Sequence, residues 1–174
     1  MYRIALLLSV TLAIVLTALR VEKNVLNIIL IFTGSLLGTF VLDLDYIIHA
    51  YFVDPTSEFS TMIKGYVKHK DVHNLLAYAH LHKDNVPDKT LNSGLFQIVL
   101  AGATFFVLSS SINVGIKALV VSAFLNSIYR FWEVYMQGKV NQWFWSLKVG
   151  TNKGSIYGYT LILVVAFLYT LFLF

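Results

Sequence analysis

The chain has 174 residues and a net charge of +4, with 57% hydrophobic and only 13% charged residues, where an average soluble domain carries roughly 25%. The charge is bunched: Gly154 to Phe174, Asn24 to Leu42 and Thr90 to Ile116 contain no Asp, Glu, Lys or Arg. A soluble domain cannot hide so many long apolar runs, because its helices need a wet face, so a soluble enzyme, a nucleic-acid module and a secreted disulfide scaffold are excluded.

The composition predicts an all-α polytopic membrane protein of one domain, residues 1–174, with about five transmembrane helices and a cytoplasmic amphipathic segment. Runs of about 20 apolar residues match a hydrocarbon core roughly 30 Å thick, and backbone groups in lipid must bond internally, as helices do. The first expected span is 4–19. Arg3, an apolar stretch and Thr17-Ala18 also fit a signal peptide, but the bulky Leu16 at the −3 position disfavours cleavage after Ala18. The second, 25–53, holds Gly34 and Gly38 in a G-x-x-x-G that permits close helix packing, then Asp43, Asp45 and His49 in its last third. The polar segment 54–93 opens with Asp54-Pro55, an N-cap with proline at the first helical position. It predicts one or two helices lying on the membrane surface. Asn85-Val86-Pro87-Asp88 should end them. Spans at 95–111, 117–133 and 155–174 follow.

Lys and Arg set the orientation. With the N-terminus on one side, that side holds Arg3, Lys64, Lys68, Lys70, Lys83, Lys89, Arg130, Lys139, Lys148 and Lys153; the other holds Arg20, Lys23 and Lys117. The expectation is a bacterial-type cytoplasmic (inner) membrane protein with its N-terminus inside and its C-terminus outside. Its partners are the lipid bilayer and a cytoplasmic protein docking on 54–93, and not nucleic acid. The pI of about 9.2 reads as a topology signal.

Three distant stretches then converge at the cytoplasmic side: Asp43, Asp45 and His49; Asn92 and Ser93; Asn126, Arg130 and Glu133. A carboxylate at mid-membrane costs about 2.5–3.5 kcal/mol on insertion scales, less toward the interface, so each acid needs a partner. On one continuous helix Asp43 and Asp45 diverge by about 200°, while His49 shares a face with Asp45. Arg130 follows twelve uncharged residues and is placed to meet Asp43 or Asp45 in a charge-assisted pair; Glu133, three residues on, competes for it. His69 and His73 are four apart, so on one helix they share a face and have zinc-binding spacing, with His80 the nearest third ligand. Tyr129 to Trp145 collects all three Trp, as interfacial aromatic belts do. No cysteine is present, so a thiolate metal site and a Cys nucleophile are excluded.

The string Gly34-Ser35-Leu36-Leu37-Gly38-Thr39-Phe40-Val41-Leu42-Asp43-Leu44-Asp45-Tyr46 resembles the D-x-D segment of the bacterial membrane-bound metal-dependent hydrolases, relatives of the LexA-binding inner-membrane hydrolase. Asn92-Ser93 sits where the family has His-Ser opening a span. Asn126-Ser127-Ile128-Tyr129-Arg130 sits where it has H-x-x-x-D, with Gly138 and Trp143-Phe144-Trp145 in its Gly- and Trp-containing tail. The resemblance covers about residues 28 to 147. It implies a helical membrane scaffold whose ligand histidines are here Asn92 and Asn126 and whose later acid is Arg130. Asn is a poor ligand for zinc-like metals, and Arg is a cation.

The expectation is therefore a non-catalytic, degenerate member with a polar core of Asp43, Asp45, Asn92, Ser93, Asn126, Arg130 and Glu133, and no cofactor. One alternative is an active metal-dependent hydrolase holding Zn, Mn or Fe through Asp43, Asp45 and His49, joined by His73 or His80. Another is a small transporter, since intramembrane acids often mark ion paths.

Overall fold

The computed structural model describes residues 3–82, 90–147 and 152–174, and these are all-helical. The long helices are α1 (Arg3–Leu19), α2 (Val25–Val41), α6 (Gly94–Ser109), α7 (Val114–Met136) and α9 (Lys153–Leu173). Between α2 and α6 lie α3 (Leu44–Ile48), a π-helical turn (His49–Val53), α4 (Glu58–Lys68) and α5 (Val72–Leu81); a short α8 (Val140–Trp143) precedes α9. Among the described residues two helices, α7 and α9, are long and apolar enough to cross a membrane, and a third candidate is the bent pair of α2 with Leu44–Val53; α1 and α6 are shorter apolar helices.

α2 and α7 make the most extensive helix contact, and the sequence shows why. A Cβ on Gly34 would collide with the carbonyl of Gly115, and one on Gly38 would lie 2.5 Å from the carbonyl of Leu119. Bare glycines let the backbones approach, which is how small-residue motifs associate helices in membranes. α1 packs on this pair through Leu12, Ala13 and Leu16, against Ile31, Ala118 and Val121, so it belongs to the core of the bundle. α6 and α9 close the other side around Leu100, Phe124 and Leu163.

The second expected span is not one helix. α2 ends at Val41, and the axis bends by 43° before continuing as α3 and the π turn. Neither Pro nor Gly stands at the break; instead Asp43 and Asp45 each take a partner outside the helix, as described below.

The segment after it also differs from expectation. α4 is capped by Ser57, whose Oγ accepts from the Ser60 N–H at 3.2 Å; Asp54 closes the π turn and Pro55 lies in the intervening turn. α5 is capped by Asp71, which accepts from the Asn74 N–H at 3.1 Å and side-chain amide at 2.6 Å. Those bonds, backbone first, hold the Asp71 carboxyl below its usual value, with His73 and His69 adding to the effect. Part of the apolar surface of α4 and α5 is buried within the protein, while Met62, Val72 and Leu81 stay exposed. Phe59, Ile63, Leu75 and Ala79 pack with Tyr46 and Ala50 in a core of their own. The predicted breaker at 85–88 lies outside the described residues.

Three helices end in one way. After α1, α4 and α7 the residues at the left-handed position are Val21 (φ 49°), Lys70 (φ 55°) and Gly138 (φ 70°). In each case the next N–H reaches back to the carbonyl five residues earlier: Glu22 to Thr17, Asp71 to Tyr66, Lys139 to Val134. This is the Schellman closure, which favours glycine; only α7 has it.

Candidate functional site

The polar residues expected to converge form two separate layers. In the first, Arg130 Nη2 lies 2.7 Å from Asp43 Oδ1, and Arg130 Nη1 donates to Asn92 Oδ1 at 3.1 Å. Asn92 faces both ways, because its Nδ2 donates to Asp45 Oδ2 at 2.8 Å and to the Leu42 carbonyl at 3.0 Å. Asp45 also accepts the backbone N–H groups of Asn92, at 3.0 Å, and Thr90, at 2.9 Å. The order in space is Asp43, Arg130, Asn92, Asp45. All but the half-buried Arg130 are buried.

This arrangement explains the bend. With the helix interrupted at Leu42, the Leu42 carbonyl accepts from the Asn92 amide at 3.0 Å and from the Asp45 N–H, three residues on, at 3.4 Å, a tighter turn in place of the α-helical ladder. Asp43 and Asp45 then point to different partners, one to α7 and one to the segment leading into α6. A guanidinium offers donors in a fixed fork, which lets Arg130 serve a carboxylate and an amide oxygen together. The Asp45 carboxylate takes three N–H donors, and such bonds to an ion are about twice as strong as neutral ones.

The other expected members lie elsewhere. Ser93 is the N-cap of α6, accepting from the Phe96 N–H at 3.3 Å and donating to the Thr90 carbonyl at 2.7 Å. Glu133 lies against Tyr129, one turn earlier on α7. His49 is buried in the π turn, its ring edge-on to Phe59 with centroids 6.1 Å apart. Although Asp45 is four residues before His49, its carboxylate is turned to Thr90 and Asn92. His69 and His73 do not share a helical face, because α4 ends at His69 and α5 begins beyond the left-handed Lys70. Among the described residues no three His, Cys, Asp or Glu side chains form a group able to hold a metal ion.

Asn126 belongs to the second layer. It stands one turn before Arg130 on α7, about 6 Å further along the helix axis. Its Nδ2 donates to Ser9 Oγ at 3.0 Å and to the Ser122 carbonyl at 2.9 Å. Ser9 also meets Thr39 at 2.7 Å and Ser122 at 3.0 Å, and Ser122 Oγ donates to the Ser35 carbonyl at 2.6 Å. Neutral hydroxyls and one amide thus bind α1, α2 and α7 where their surfaces are closest. Ser9, Thr39 and Ser122 were not predicted; the available signal was Ser35 and Thr39 following Gly34 and Gly38, with Ser122 one turn from Asn126.

A third buried polar contact was also not predicted. Gln97 is fully buried, and its Oε1 accepts from Tyr159 Oη at 2.7 Å and Trp143 Nε1 at 3.3 Å. Trp143 and Phe144 pack with Phe131 and Ile156 in the interior, so these two aromatics are core residues and not part of an interfacial belt. No family model, curated protein or solved structure matches the chain significantly.

Proposed function

We propose that the chain is a non-catalytic integral membrane protein with five spans, a cytoplasmic N-terminus and an outward C-terminus. It resembles the membrane-bound metal-dependent hydrolases in scaffold and uses an ion pair where they use a metal. The observation that carries this reading is the Arg130 guanidinium bonded to both Asp43 and Asn92, with Asn92 and Thr90 occupying Asp45. Carboxylates engaged in this way serve as anchors for the cytoplasmic ends of α2, α6 and α7. A metal bound there would face a fixed cation beside it. The outward faces of α4 and α5, where Thr61, Lys68, His73 and Asn74 are exposed together with Met62 and Val72, are the surface for a cytoplasmic protein partner.

The decisive experiment is metal analysis of the purified, detergent-solubilised protein after incubation with Zn, Mn and Fe. The expected result is no stoichiometric metal, in the parent and in Asp45→Ala alike. One metal per chain, lost in Asp45→Ala, overturns the reading in favour of a hydrolase centre.

A further inference from the structure

The bend after α2 sets the height at which the chain leaves the membrane. α2 has 17 residues, or about 25 Å of rise, short of a hydrocarbon core roughly 30 Å thick. The ten residues Leu44–Val53 add about 15 Å along an axis tilted by 43°, hence about 11 Å of further height. With Glu22, Lys23 and Asn24 marking the opposite boundary, Tyr51, Phe52 and Val53 come to lie about 36 Å away, beyond the hydrocarbon core and among the headgroups of a bilayer 40–45 Å thick overall.

The side chains at that height suit the location. Tyr51, Phe52 and Val53 are exposed, Phe52 to 80%. In the α4–α5 hairpin next to it Phe59, Ile63 and Leu75 are buried, while Met62, Val72 and Leu81 are exposed like the turn. Lys64 of α4 folds over the same turn: its Nζ lies 5.4 Å from the Tyr51 ring centroid and donates to the Pro55 carbonyl at 2.9 Å. The cation–π contact and the single hydrogen bond hold the ammonium in place. Two of its three N–H donors remain, and among the described residues Lys64 makes no ion pair. The charge is thus fixed beside an exposed aromatic turn without a carboxylate to neutralise it.

We propose that Tyr51–Val53 and Lys64 form a lipid-headgroup site, with the aromatic turn inserted into the bilayer interface and the Lys64 ammonium bonding the phosphate of an anionic phospholipid. Aromatic rings at headgroup depth and lysines near an anionic surface are each stabilised there. The inference rests on the membrane reading and not on the absence of catalysis. It adds the turn before α4 to the surface in contact with the bilayer.

Because the chain has no cysteine, Phe52→Cys gives a single labelling site. A polarity-sensitive dye placed there in liposomes should be quenched more by lipids carrying a nitroxide at the headgroup than by aqueous iodide. Dominant iodide quenching, with no response to nitroxide lipids, overturns insertion of the turn. Native mass spectrometry of the protein with phosphatidylglycerol tests the ammonium. Lys64→Ala should lose at least half of the lipid adducts, with Lys64→Arg retaining them and Lys23→Ala, on the opposite side, unchanged. Equal adduct loss in Lys64→Ala and Lys23→Ala, or loss in neither, overturns the phosphate contact.

Discussion

The two polar layers sit about one helical turn apart on α7 and solve different problems. The layer at Arg130 contains full charges, and it is assembled from α7, the broken end of α2 and the approach to α6. The layer at Asn126 contains only hydroxyls and one amide, and it is assembled from α1, α2 and α7 in their closest contact. The charged groups stand nearer the C-terminal end of α7, and insertion costs fall toward the end of a span, yet even there they require a helix break. Neutral groups are placed deeper and require no distortion: Ser122 bonds across to the Ser35 carbonyl while α2 continues past it. Depth in this bundle therefore sorts the polar residues by charge, and backbone regularity is given up only where ions are held.

The strongest test removes the contact on which both layers depend. Gly38→Leu places a side chain against the Leu119 backbone and Ser122, separating α2 from α7. Overpacking typically costs about 1–3 kcal/mol where neighbours can shift; here the obstructing atoms include the backbone of α7 and the two helices must part, so the loss should exceed that of any single polar substitution. Size-exclusion chromatography should show loss of the monodisperse species. A variant as stable as the parent would mean that the α2–α7 crossing does not hold the layers together. Next, Arg130→Ala leaves the buried Asp43 without its cation and should cost about 3–5 kcal/mol, read as a fall in Tm in detergent. Adding Asp43→Asn should recover a large part of that loss. Failure to recover would place the effect of Arg130 in packing and not in charge. The smallest effect belongs to the neutral layer: Asn126→Leu should cost about 0.6 kcal/mol, the average for interhelical hydrogen bonds in a membrane. A loss as large as that of Arg130→Ala would erase the distinction between the layers.

The amino-acid pattern reveals the long helices well, because uncharged runs of this length have few other solutions. It also brings Asp43 and Arg130 to one side, since scarce charges in apolar helices must find each other. It does not reveal the break at Leu42, where no Pro or Gly stands and the cause is an amide 50 residues away in sequence. Nor does it separate Asn126 from Arg130, because a spacing of four puts both on one helix face and leaves their partners unstated. The pairing of His69 with His73 failed for a local reason. Lys70 adopts the left-handed conformation that usually signals itself as glycine, so a helix end falls between the two histidines without a residue that announces it. Ser9, Thr39 and Gln97 gave little warning, since hydroxyls and amides inside apolar helices acquire meaning only once a neighbouring helix is in place.

The burial of Trp143 gives the molecule an internal fluorophore. Its indole is 1% exposed and tied to Gln97, while Trp145, two residues on, is 44% exposed and Trp132 is half-buried on α7. Emission from the three indoles therefore divides by environment. The bluest component reports whether α8 and α9 are seated on α6, so detachment of the C-terminal helix can be followed in the native chain without an added label.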